Sequence, residues 1–112
     1  MSNPSPFDEL AVTARIREQA RARQVKFTVH AHQEMRNDEV TLYELLAMLT
    51  GGQVLENYPE YDRGPCCLVV GQGQGRALHA VCTTTLPELV IITVYEPTKP
   101  YWDTPYQRGT RP

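Results

Sequence analysis

The chain lacks most of the features that assign a protein to a class at first sight. None of its 112 residues fall in a run approaching the roughly 18 apolar residues of a membrane span. The opening MSNPSPFDEL has neither the basic start nor the apolar core of a secretion signal. Charge of one sign is missing too: 11 Lys and Arg stand against 13 Asp and Glu, a net −2, which predicts neither a general nucleic-acid binder nor an acidic tail. Cysteine is scarce, with Cys66, Cys67 and Cys82 the only three. No C-x-x-C spacing exists, which argues against a cysteine-based zinc site. Adjacent strand residues point to opposite faces, so Cys66 and Cys67 do not bond readily to each other. Reduced thiols in a soluble cytoplasmic protein are the simplest expectation.

What is present reads as one domain over residues 1–112: a helix at 5–24, a core at 25–102 and a tail at 103–112. Arg15, Arg17, Arg21, Arg23 and Lys26, opposed only by Glu18, give the first segment a local basic face. There Ser5 is placed to cap the helix, Pro6 suits its first position, and Phe7, Leu10, Ala11 and Ala14 form an apolar stripe widened by Val12 and Ile16. VKFTV at 25–29 is a short extended piece or the lead-in to a second helix, HAHQEMRND. TLYE is a capping box opening a third helix, with Thr41 as cap and Glu44 as its reciprocal partner, and Gly51 and Gly52 predict a left-handed end. The period then changes to two. QVLENY, CCLVVG, RALHAVCTT and LVIITVYEP read as four strands joined by short turns, hence antiparallel neighbours. Gly71, Gly73 and Gly75 join two strands and read as a hairpin turn, not a phosphate loop. The expected architecture is α+β, with two or three N-terminal helices on one face of a four-stranded antiparallel sheet. The other face needs its own cover. TKPYWDTPYQRGTRP is either a disordered tail or a strap anchored by Trp102.

The order HAHQEM, VT, a capped helix, GQVLENY, GRALHAV, IITVYEP resembles domain-of-unknown-function family 4258, over about residues 25 to 102. The resemblance implies a RelE-like fold and the toxin half of a bacterial toxin–antitoxin pair, partnered by an antitoxin of zinc-finger type and acting on RNA or at the ribosome. No membrane partner and no cofactor are expected. Where the family pattern carries two arginines, this chain has Glu34 and Asp38, so phosphate contacts would fall to Arg76 or to the basic first helix.

Metal-free RNA cleavage needs a base for the 2′-hydroxyl, an acid for the leaving 5′-oxygen and a cation for the phosphate. Histidine suits either proton role. His79 lies mid-strand, and pairing it with Thr93 would gather His79, Thr93 and Tyr95 on one face, whereas a one-residue slip would isolate it. The RelE-type reading therefore places His79 and His30 as acid and base, with Tyr95 beside them, and gives Arg76 and Thr93 to substrate binding. Two histidines two apart, His30 and His32, could share a metal only on a strand, and no metal is expected. The alternative is a non-catalytic module of the same fold, binding a protein partner or nucleic acid through the exposed sheet face.

Overall fold

The computed structural model describes residues 4–109. Within them run α1 (Glu9–Arg21), β1 (Val25–Phe27), α2 (Val29–Asn37), α3 (Leu42–Thr50), β2 (Gln53–Tyr58), β3 (Cys66–Gln72), β4 (Ala77–Thr83), β5 (Leu89–Tyr95), β6 (Trp102–Thr104) and β7 (Gln107–Arg108). The protein is α+β, but its main sheet has five strands, not four, in the order β1-β5-β4-β3-β2. β1 runs parallel to β5, with Val25 opposite Leu89 and Phe27 opposite Ile91, and the other pairs are antiparallel. The sheet is therefore mixed. A three-residue strand carries almost no periodicity of its own. Its place is set by long-range pairing, including the Leu89 N–H donated to the Gln24 carbonyl at 2.8 Å.

Local chemistry explains the helices. Asp8, not Ser5, caps α1, its carboxylate accepting the Ala11 N–H at 3.1 Å. The helix thus starts later than Ser5 and Pro6 suggest, and the expected stripe shifts with it. Phe7 and Leu10 are exposed, while Val12, Ile16, Gln19 and Ala20 form the buried line. Buried Gln19 satisfies its amide on the carbonyls of Leu86 and Pro87, which pins the β4–β5 loop. Thr28 caps α2 and Thr41 caps α3, each accepting an N–H three residues on. α3 ends at Gly51 with φ −106°, so no left-handed cap forms. Two glycines crowd the Met48 carbonyl oxygen there, Gly52 after the helix and Gly71 of β3, where an added Cβ would come 2.7 and 2.1 Å from it. The close crossing of α3 over β3 depends on those missing side chains.

The helices cover one sheet face. Val12, Ile16, Ala31, Met35, Leu45, Met48 and Leu49 pack on Val69, Leu78, Ala80, Cys82, Leu89, Ile91 and Val94 in one core. Full burial of each large side chain contributes about 1.5–3 kcal/mol. On the opposite face Leu68, Val70 and His79 are buried as well. The C-terminal segment, a strap made of the β6–β7 hairpin, covers His79 through Pro105 and Trp102, the latter only 4% exposed. Backbone bonds from Trp102 to the Thr98 carbonyl and from Gly109 to the Tyr101 carbonyl close it.

Candidate functional site

His79 lies opposite Tyr95, and Val81 opposite Thr93. The register is displaced by two residues from a His79–Thr93 pairing, an even number, so His79, Thr93 and Tyr95 still share a face. A bulge between Val81 and Cys82 follows. Thr93 is half-buried two residues from Tyr95 and makes its surroundings with Tyr58, Tyr61 and Val81.

The His79 ring is fully buried. Its Nε2 is 2.6 Å from the Pro105 carbonyl oxygen of the strap, and its Nδ1 is 3.0 Å from the Tyr95 hydroxyl. A carbonyl can only accept, so Nε2 carries the proton, and in the neutral ring Nδ1 accepts from the Tyr95 O–H. Burial pushes the imidazole below its ordinary range, and the bond to Pro105 only partly opposes this. Burial likewise raises the Tyr95 phenol. The Trp102 ring meets the His79 ring edge-on at a 4.4 Å centroid distance. Both ring nitrogens are engaged, and His79 presents no lone pair to solvent.

The strap adds groups that sequence periodicity did not single out. Arg108 sits 4.7 Å above the Trp102 ring and forks onto Glu56, with Nε and Nη2 each donating at 2.7 Å. The Tyr58 hydroxyl donates to the same carboxylate. Arg108 holds the Glu56 carboxyl below the usual range, and burial together with Glu56 raises Tyr58. Alternation along QVLENY could have placed Glu56 and Tyr58 on one face. Nothing periodic announces Arg108, which reaches the sheet only through the strap.

Arg76 belongs to a different cluster. Its Nε and Nη2 donate to Glu44 at 3.0 and 2.7 Å, its Nη1 to Glu96 at 3.1 Å, and its Nη2 also to the Glu39 carbonyl. Glu44 is buried, accepts the Gln74 N–H, and is held below the ordinary carboxylate range chiefly by Arg76. The expected reciprocal half of the capping box is replaced by this pair. Gly73 leaves the room for it, since a Cβ there would lie 2.6 Å from Glu44 Cγ. Arg76 is thus a tie between α3 and the β3–β4 hairpin.

His30 stays apart from His79. It is exposed on α2, whose Ala31 and Met35 enter the helix-side core, and its Nε2 lies 3.3 Å from Glu34. Glu34 in turn accepts the Val94 N–H at 3.0 Å. β1 pairs with β5 only as far as Ile91, so this carboxylate completes the strand edge beyond it. An arginine, which only donates, could not. Asp38 is the C-terminal cap residue of α2, and His32 is exposed with its ring on Phe27. Among the described residues no group of three or more His, Cys, Asp or Glu is placed to hold a metal ion, and no helix is long and apolar enough to cross a membrane.

Beside the strap runs an open groove of about 410 Å³, lined by Tyr95, Glu96, Thr98, Tyr101, Trp102 and Arg108. Residues 27–96, more than half of the chain, match the model of a family described as domain of unknown function (DUF4258). No curated protein and no solved structure matches the chain.

Proposed function

The chain belongs to the DUF4258 family, and from its geometry we propose that it is a toxin-type, metal-independent endoribonuclease of RelE-like kind, with its reaction centre on the strap face. One observation carries this reading. His79, Tyr95, Glu56, Tyr58 and Arg108 lie on that face, joined through Trp102 and Pro105, beside an open groove. The set holds each kind of group that RNA cleavage requires. The Glu56 carboxylate can take the 2′-hydroxyl proton, and the 2′-oxygen then attacks phosphorus to form a cyclic phosphate. The bond to the 5′-oxygen breaks, and a Tyr58 or Tyr95 hydroxyl supplies its proton. Arg108 is the phosphate cation, because its side chain is 60% exposed on the groove wall, whereas Arg76 is 24% exposed and held by Glu44, Glu96 and the Glu39 carbonyl. His79 acts through Tyr95 as a positioning residue and meets RNA only if the strap lifts. His30 has no part in this centre. A cytoplasmic antitoxin, of zinc-finger type, is the partner this reading brings.

The test is cleavage of single-stranded RNA by the purified chain in the presence of a chelator, together with growth arrest on expression. Glu56→Gln is expected to abolish both, and His79→Ala to reduce them. Full activity in Glu56→Gln would remove this centre.

A second reading is a non-catalytic module of the same fold that binds nucleic acid or a protein partner. It is favoured by the complete burial of His79 with both nitrogens engaged. RNA binding without cleavage, unchanged in Glu56→Gln, would select it.

A further inference from the structure

We infer that the groove beside the strap is a nucleotide subsite, taking a base that carries an exocyclic amino group together with its phosphate; this deepens the RNA reading by naming what the site holds. Three features define the ligand. Tyr101 is 72% exposed on the groove wall and offers a ring face to a planar heterocycle. Arg108 supplies a cation on the same wall. Its fork spends Nε and Nη2 on Glu56, and among the described residues Nη1 has no hydrogen-bond partner, so its hydrogens can meet an anion. Glu96, also on the wall, gives one carboxylate oxygen to Arg76 at 3.1 Å. A carboxylate has about four lone-pair sites, so acceptor capacity remains for an amino group. Thr98 adds a hydroxyl. A ligand that is planar, anionic and edged with donors satisfies all three, and a nucleoside monophosphate of adenine, cytosine or guanine is one. Uracil has no amino group for Glu96. The volume, about 410 Å³, lies within the span of roughly 300–1,000 Å³ common to small-ligand sites.

The chain carries its own reporter, because Trp102 is the sole tryptophan and lines the groove. Titration of the full chain with each of the four nucleoside 5′-monophosphates, read by Trp102 fluorescence, should give saturable changes for AMP, CMP and GMP. Binding of UMP should be several-fold weaker. Tyr101→Ala alters an exposed side chain and should keep the circular dichroism of the parent. It should weaken binding at least about fivefold, the loss expected for one stacked base. Glu96→Gln should narrow the gap between CMP and UMP. No saturable change with any nucleotide, or equal binding by parent and Tyr101→Ala, would overturn the inference. These ligands contain no internucleotide bond, so the result is independent of cleavage. RNA cleavage without nucleotide binding would sink the subsite and leave the nuclease reading standing, and nucleotide binding without cleavage would do the reverse.

Discussion

Two arginine–glutamate forks sit at different places on this fold, and they are chemically the same. Arg76 meets Glu44 and Arg108 meets Glu56, each through Nε and Nη2 at 2.7–3.0 Å. Their surroundings differ. The Glu44 side chain is 5% exposed and its arginine 24%, while the Glu56 side chain is 24% exposed and its arginine 60%. The first fork joins a helix to a hairpin inside the fold, with a glycine cut away to admit it. The second lies on a terminal strap beside a groove. A buried fork cannot lose one member without leaving a charge stranded in low dielectric, whereas an exposed one can trade its partner for water or a ligand. Burial, not residue type, separates the arginine that holds the structure from the arginine available for chemistry.

The comparison breaks most severely at Glu44→Ala. That change removes the fork from Arg76 and orphans the Gln74 N–H, and should cost about 3 kcal/mol, the low end for a broken buried pair because Arg76 is partly exposed and keeps Glu96 and the Glu39 carbonyl. A urea-unfolding midpoint would register it, and a loss below about 0.5 kcal/mol would show that the pair is not stabilising. Gly73→Ala presses on the same carboxylate from the other side and should cost about 1–3 kcal/mol by overpacking. Acid sharpens the contrast further. The folded-state pKa of Glu44 is lowered, so its contribution is complete above the ordinary carboxylate range and disappears as the pH falls through the lowered value. His79 is also lowered, as a buried neutral ring. Its contribution is complete above the ordinary histidine pKa of about 6.5 and is lost as the pH falls through its lower folded value. Melting temperatures between pH 7 and about 2 should therefore fall in the parent, with the early part of the decline reduced in His79→Gln and the part below the ordinary carboxylate range in Glu44→Gln. The smallest effect on stability belongs to Glu56→Gln, less than about 1 kcal/mol. This variant should still loosen the strap. Acylation of His79 by diethylpyrocarbonate, located by peptide mass, should speed up while exposed His30 and His32 react as before. An unchanged His79 rate would mean that Trp102 and Pro105 hold the strap without Arg108.

What could be read from the sequence was local. The Thr41–Glu44 spacing places a cap, and the alternation in RALHAVCTT separates His79 from Leu78 and Ala80 without any tertiary knowledge. What escaped depends on distance along the chain. Glu44 looks like a capping-box partner because the motif spans four residues, yet its partner is Arg76. The pairing of His79 with Tyr95 rather than Thr93 rests on how two strands slide past each other. VKFTV reads as a short extended piece or a helix lead-in, but its place in the sheet escaped, because its parallel neighbour lies more than sixty residues on. His30 suggested chemistry by closeness in sequence to His32 and Glu34, but α2 turns it to solvent on the far side of the sheet from His79.

Trp102 has a consequence for where this molecule can be cut. The family match runs from residue 27 to residue 96, and so omits α1 with Val12, Ile16 and Ala20, most of β1, and the strap with Trp102. A fragment trimmed to those limits would bare the surfaces of α3 and β5 that α1 and β1 cover on one side, and His79 on the other. The stretch that heredity marks as a unit is smaller than the stretch that shields its own interior, and expression designed on the former should yield aggregates.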